Sequence, residues 1–158
     1  LKENPHFVRL LTMFTNPFMG ILVGIVFTAV LQSASASVGI LQALSITGSI
    51  TFAAALPITM GIGVGAACPV LLSSIGTNKN GKRTALIYLL NDLFGMIFWS
   101  IVFYSVNAIV HFPFMGEIMS PFRVALLNTV FRLLTILVLA PFIGKIEKLV
   151  FFLSLIHI

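Results

Sequence analysis

Charged residues are scarce in this chain of 158 residues. They make up 8% of the sequence, against about a quarter in a typical soluble domain. Hydrophobic residues make up 59%, and the mean hydropathy is +1.13. Cysteine is nearly absent, and the single Cys68 excludes both a disulfide within the chain and a cluster of thiolate metal ligands. The composition predicts an integral membrane protein, because apolar runs fill nearly the whole length and leave no room for a soluble domain with one anchor.

Motifs for catalysis and for export are also missing. The three histidines, His6, His111 and His157, lie far apart in predicted loops or tails and lack the spacing of metal ligands. No basic residue lies near the serines that could act as nucleophiles, so we do not expect an enzyme. No cleavable leader is visible and the first residue is Leu1, so we expect the chain to be a piece of a longer protein.

The apolar segments predict an all-α membrane protein. The predicted elements within a membrane unit over 1–150 are an interfacial amphipathic helix over 1–15, two short apolar pieces over 17–47, a broken helix over 50–75, and transmembrane helices over 84–110 and 121–143. Residues 151–158 fit no helical period, and we expect them to be a non-native tail.

Basic residues predict the orientation of these helices. The hydrophilic loop before the helix at 84–110 contains Lys79, Lys82 and Arg83, and Lys145 and Lys148 follow the helix at 121–143. Both groups fall on one side of the membrane, so the positive-inside rule predicts that this loop and the C-terminus are cytoplasmic. The net charge of +5 is therefore interpreted as topology and not as nucleic-acid binding.

A polar stretch, Gln32 to Ser37, interrupts one of the most apolar parts of the sequence. The pieces on either side, Pro17 to Leu31 and Ser33 to Thr47, each reach about 22 Å as helices, short of the roughly 30 Å hydrocarbon core. They form either one continuous tilted helix or a re-entrant hairpin with the polar stretch at its tip, and spacing alone favours neither. The tip carries an oxygen-rich lining suited to sodium or an oxyanion, formed by Thr28, Gln32, Ser33, Ser35 and Ser37.

Three alternate glycines, Gly61, Gly63 and Gly65, precede Pro69 in the next segment and weaken a helix there. Transporters use broken helices to direct backbone groups at a substrate. Small residues also allow helices to pack closely. For the glycines alone, packing is the more common explanation, and ion binding is the functional alternative.

Two charges lie deep in predicted transmembrane helices. With a helical rise of about 1.5 Å per residue, Asp92 lies about 13 Å and Arg132 about 16 Å from the same membrane surface. Such groups usually pair or line a polar pathway. We predict that Asp92 and Arg132 meet between the last two helices, near Asn91 and Asn128, and a structural ion pair is favoured over contact with substrate.

Several stretches resemble the bacterial sodium/phosphate cotransporter family. Residues 24–40 are similar to its glutamine–triple-serine signature, and the likeness continues through residues 55–61, 71–83 and 141–148, so that it covers nearly all of 3–150. The resemblance implies two inverted repeats, each with a re-entrant hairpin, and identifies this chain as the second repeat. It also favours the hairpin over the continuous helix.

The function that the resemblance implies is sodium-driven uptake of phosphate across the inner membrane. Gln32, Ser33, Ser35 and Ser37 would line the site, and Gln32, Ser33 and Ser35 would bind the sodium ion. The implied partners are the N-terminal repeat or a second copy, which would supply the facing wall, and a cytoplasmic domain of the PhoU type.

The chain also departs from the family pattern. Ala34 stands at the second serine, Gly63 and Ala66 replace an asparagine and a threonine, and Pro69 stands where relatives usually have a threonine. Asp92 replaces an asparagine, and Asn128 and Arg132 replace a histidine and an asparagine. These losses predict either an altered transporter or, alternatively, a non-transporting or altered-specificity subunit that retains the fold.

Overall fold

The computed structural model describes residues 14–157 as an almost wholly helical chain, which confirms the all-α fold class. Residues 1–13, which carry most of the interfacial helix predicted over 1–15, lie outside this range. The α-helices are α1 (Pro17–Leu31), α2 (Ala34–Ile46), α3 (Phe52–Gly65), α4 (Ala67–Ser74), α5 (Lys79–Val110), α6 (Pro121–Leu139) and α7 (Ile143–His157). Short 3-10 helices, Pro113–Gly116 and Ala140–Phe142, precede α6 and α7.

Three helical stretches within the described residues are long and apolar enough to cross a membrane, namely Phe52–Ser74, Lys79–Val110 and Pro121–Phe152. Large apolar side chains remain exposed on the helices, among them Phe18, Ile109 and Phe122, each more than 70% exposed. Soluble proteins rarely expose such continuous apolar surfaces. The chain is therefore a membrane protein whose outer faces are suited to lipid.

Two helix boundaries differ from the sequence prediction. Helix α5 begins at Lys79 and not near Thr84, because the Asn78 side chain accepts a hydrogen bond from the Gly81 N–H at 3.0 Å and caps the helix earlier. Helix α7 continues to His157, so most of the segment that we expected to lie outside the fold, 151–158, extends an apolar helix.

Helix α3 lies at the centre of the molecule. In the most apolar part of the stretch that α3 forms with α4, 67% of the residues are buried, against 6% and 11% in the stretches that contain α5 and α6. A helix that is apolar on every side requires such a position. Its residues Ala55, Ile58 and Ile62 form the core with Leu41 of α2 and Val124 of α6.

Glycines bring α1 and α3 into backbone contact. A Cβ added at Gly65 would lie 2.6 Å from the Ile25 carbonyl oxygen, and one added at Gly24 would lie 3.0 Å from the Gly61 Cα. No side chain fits at such separations, so the glycines let the two backbones approach. Gly61 and Gly65 thus belong to helix packing, which was the structural explanation for the glycine-rich stretch.

The division between α3 and α4 is a single residue, Ala66. Its N–H bonds to both the Ile62 and Gly63 carbonyls, at 3.0 and 3.2 Å. Pro69, three residues later, has no N–H to donate, and its ring crowds the carbonyl of Gly65. The proline therefore accounts for the interruption, and α4 continues the same apolar stretch.

Two loops at one end of the molecule fix α6 against α2 and α3. Met119 N–H donates to the Ile50 carbonyl at 2.8 Å, and Phe52 N–H donates to the Glu117 carbonyl at 2.9 Å. The Gln42 side chain adds a bond from its Nε2 to the Pro121 carbonyl at 3.0 Å. Because Pro121 begins α6, these contacts set the position of the polar residues farther along that helix.

Candidate functional site

The chain reverses direction between α1 and α2. The Thr28 hydroxyl donates to the Ser37 hydroxyl at 2.9 Å, although residues nine apart in a continuous helix would be separated by about 13 Å. Gln32 has the left-handed φ of 53° and ends α1, and Ser33, in extended conformation, begins α2. The continuous helix is therefore excluded, while the depth of this tip in a membrane stays a prediction.

Three of the predicted ligands hold the tip together. Thr28 and Ser37 are fully buried, at 0% and 1% exposure. Ser37 accepts the hydrogen bond from Thr28 and donates its own hydrogen to the Ser33 carbonyl at 3.0 Å. The Ser33 hydroxyl caps α2 by accepting from the Ala36 N–H at 3.2 Å. These hydroxyls are occupied by structural bonds, which limits what they offer to an ion.

Gln32 and Ser35 are the exposed members of the signature. Gln32 is one of two non-glycine residues with a positive φ in the described chain, the other being His111. Such a conformation costs about 1–3 kcal/mol outside glycine and is concentrated at functional sites. The strained backbone makes the Gln32 side chain a candidate ligand, and its role stays a prediction. The Ser35 hydroxyl lies 3.2 Å from that of Ser33 and borders open space.

That open space is a cavity of about 660 Å³ between the tip and α6, which we call the large cavity. The start of α2 contributes Ala34 and Ser35, and Gln42 lies deeper along the same helix. Helix α5 contributes Tyr88. Polar side chains face the tip from α6, namely Asn128, Thr129 and Arg132. The cavity combines the positive end of a helix dipole, hydroxyl and amide groups, and one guanidinium, which are the donors that bind oxyanions.

A second cavity, of about 180 Å³, lies between α5 and α6 and is here called the small cavity. Asp92 and Arg132 both line it, and Gly63 of α3 closes one side. The described residues contain one ion pair within 4.0 Å, between Arg123 and Glu117, so Asp92 and Arg132 share the cavity without forming a direct ion pair. Arg132 lines both cavities.

The structure thus separates the residues predicted for one site. It brings Ser35 together with Arg132, and Gly63 together with Asp92, whereas Gly61 and Gly65 lie in the contact between α1 and α3. Sequence reasoning missed Tyr88, Thr129 and Thr135. Helical spacing was the available signal, because Thr129 and Thr135 lie three residues before and after Arg132 on α6, and Tyr88 lies four residues before Asp92 on α5.

The Na+/Pi-cotransporter family model matches residues 3–124, more than three quarters of the chain. No curated protein and no solved structure matches the chain. The chain belongs to the Na+/Pi-cotransporter family, a family of transporters and not of enzymes. Its general function is therefore the transport of sodium and phosphate across a membrane. The match contains the whole tip and α5 and ends near the start of α6, so Asn128 and Arg132 lie beyond it.

Proposed function

We propose that this member of the Na+/Pi-cotransporter family takes up inorganic phosphate by sodium-driven symport and binds the phosphate in the large cavity. One observation carries the proposal. Arg132, a cation deep in an apolar helix and without an ion pair among the described residues, borders the same cavity as Ser35 of the signature. A charge placed at such depth usually marks a pathway for a charged substrate.

The other groups around the large cavity are also donors suited to phosphate oxygens. Helix α2 directs its N-terminus there, where unpaired backbone N–H groups attract anions. Asn128 and Thr129 supply an amide and a hydroxyl from the facing helix. The guanidinium of Arg132 is planar and can bind two oxygens of one phosphate. In this proposal Gln32 and Ser35 meet the ion or substrate, and Thr28, Ser33 and Ser37 keep the tip in shape.

The orientation that we propose is the one that basic residues favour, with the Lys79–Arg83 segment and the C-terminal helix on the cytoplasmic side of the plasma membrane. The Arg83 guanidinium carbon lies 4.2 Å from the centre of the Phe151 ring. This contact supports the orientation, since it joins both basic segments at one end of the molecule. The tip would then be re-entrant from the opposite side.

A facing wall is needed to enclose a transport pathway, because the large cavity is open to its surroundings. We propose that an inverted repeat or a second copy of this chain supplies it. Few residues are buried in the helical stretches Lys79–Val110 and Pro121–Phe152, which contain α5 and α6, and this leaves ample surface for lipid and for that partner. A cytoplasmic domain of the PhoU type remains a further proposal, on the resemblance alone.

Radiolabelled phosphate uptake tests the proposal. The full-length protein in proteoliposomes is given an inward gradient of sodium or of choline, and we expect uptake with sodium alone. Arg132→Gln should lower uptake tenfold or more. Arg123→Gln is the matched control on the same helix, because Arg123 is exposed and paired to Glu117 at 2.6 Å, and it should retain uptake within twofold.

Two results would contradict the proposal. Equal phosphate uptake in sodium and choline would show that uptake is not coupled to sodium. It would favour the alternative, a membrane subunit that keeps the fold without sodium-driven transport. Equal loss in Arg132→Gln and Arg123→Gln would show that any lost cation on α6 impairs the protein, so that the position of Arg132 in the large cavity would have no special importance.

A further inference from the structure

The small cavity contains two oxygen atoms without hydrogen-bond partners. The Asp92 Oδ2 and the Thr135 Oγ1 are both buried, and neither has a hydrogen-bond partner in the part of the chain that the structure describes. Thr135 is only 5% exposed, and both residues line the small cavity, with Asn91 beside them. A buried polar atom without a partner is destabilising, and more so when it is charged. Two such atoms facing one space indicate that a bound group satisfies them.

The chemistry of these atoms defines that group. A carboxylate accepts and does not donate, and hydroxyl and amide oxygens also serve as ligands. Oxygen atoms of these three kinds are the preferred ligands of hard cations. The volume of about 180 Å³ accommodates a small ion together with a few water molecules. A single carboxylate balances a monovalent ion better than a divalent one.

Arg132 links the binding of this cation to the binding of the anion in the large cavity. Its guanidinium lines the small cavity as well as the large one, so its positive charge opposes a cation beside Asp92. An anion in the large cavity offsets the positive charge of Arg132 and so weakens the repulsion that a cation beside Asp92 meets. The coupling is reciprocal, because a cation beside Asp92 offsets the carboxylate charge that repels an anion at Arg132.

We propose that Asp92 and Thr135 bind a sodium ion in the small cavity and that Arg132 couples this ion to the anion in the large cavity. The inference rests on the proposed function for the identity of the anion. The cation site itself rests on the two unpaired oxygens and does not require that the anion be phosphate.

Thermal unfolding of the purified full-length protein tests the cation site. The midpoint is measured against sodium chloride, with choline chloride keeping the ionic strength constant, in the absence and presence of phosphate. We expect sodium to raise the midpoint saturably, and phosphate to lower the sodium concentration for half the effect about fivefold or more, the usual lower range of coupling between sites.

Two variants and one control assign the effect to these residues. Asp92→Asn and Thr135→Val, which keep the side-chain shapes, should abolish the response to sodium. Asp92→Asn should also bind radiolabelled phosphate without sodium, because Arg132 then has no competing carboxylate. Ser105→Ala, an exposed change on the same helix, should respond like the unchanged protein.

The failures of the two proposals are distinguishable. If the protein binds phosphate but Asp92→Asn and Thr135→Val respond to sodium like the unchanged protein, the cation site is wrong and the proposed function stands. If no phosphate binds while sodium stabilisation still requires Asp92, the proposed function is wrong and the cation site stands. Equal stabilisation by sodium and choline would overturn the cation site directly.

Discussion

Alanine at Gly61 and alanine at Gly63 should have opposite effects on stability, although the two glycines are separated by one residue. A Cβ added at Gly61 would collide with the carbonyl oxygen of Ile21 and lie 2.9 Å from the Ile25 nitrogen. These are backbone atoms of α1 and cannot rotate away. At Gly63 the nearest atom is a ring carbon of Phe131 at 3.9 Å, an ordinary van der Waals contact.

The expected change in the free energy of unfolding combines the cost of overpacking with the gain from replacing glycine in a helix. Overpacking costs about 1–3 kcal/mol, and contact with backbone places Gly61→Ala at the upper end. Replacing glycine by alanine inside a helix returns about 0.5–1 kcal/mol. Gly61→Ala is then destabilising by about 2 kcal/mol. Gly63→Ala causes no overpacking and is stabilising by the full gain of about 0.5–1 kcal/mol. At about 2–4 °C per kcal/mol for a chain of this size, the unfolding midpoint should fall by about 4–8 °C and rise by about 1–4 °C, respectively.

Circular dichroism of the purified proteins, heated in one detergent at one scan rate, measures the difference, since membrane proteins often unfold irreversibly. A midpoint for Gly61→Ala equal to that of the unchanged protein would refute the close contact between α1 and α3. A fall for Gly63→Ala as large as that for Gly61→Ala would show that the helix tolerates no side chain anywhere in this stretch, and the distinction between packing and cavity glycines would be lost.

Two further predictions concern the tip. A double-mutant cycle of Thr28→Val and Ser37→Ala should give a coupling energy of about 0.6–1.7 kcal/mol, the range for hydrogen bonds between membrane helices, and additive losses of stability would contradict the bond at 2.9 Å. Gln32→Gly should leave the unfolding midpoint unchanged or raise it, because glycine adopts a φ of 53° without strain, yet phosphate uptake should fall at least tenfold; retained uptake would mean that the glutamine side chain has no part in the site.

Much of the fold was predictable because the lengths of apolar runs limit a membrane chain to few arrangements. Pro17 and Pro121 mark the helix starts where the structure has them, since proline suits the first turn. Helical rise predicts that Asp92 and Arg132 lie at similar depth, whereas the distance between their side chains depends on how α5 and α6 pack. The early start of α5 was missed because it depends on one side chain, Asn78, that caps the helix.

The glycine-rich stretch shows where sequence reasoning reaches its limit. Residues four apart share a helix face and residues two apart do not, so spacing alone assigns Gly61 and Gly65 to one face and Gly63 to the opposite one. Which face meets α1 and which meets a cavity depends on the rotation of α3. That rotation is determined by contacts far apart in sequence, because both faces of the helix are almost wholly apolar and periodicity does not tell them apart.

The tip was less predictable, because its geometry depends on a left-handed conformation that sequence patterns assign to glycine or asparagine and not to Gln32. Only that reversal brings Thr28 to Ser37 and makes their hydroxyls structural. The signature then has fewer free ligands than its composition suggests. The groups that remain to be explained lie on α5 and α6, where the structure adds a cation and a carboxylate to the space beside Gly63.

The two charges make physical sense only together. A single ionised group in the small cavity would carry a large desolvation cost in an apolar surrounding, whereas Asp92 and Arg132 leave its net charge at zero. A direct ion pair would satisfy that requirement best, yet the structure holds the two groups apart and leaves a carboxylate oxygen unpaired. An arrangement that keeps neutrality without pairing is costly for stability alone. It is useful for a transporter, because each charge remains able to attract a substrate ion of the opposite sign, and binding of one ion offsets the charge that repels the other.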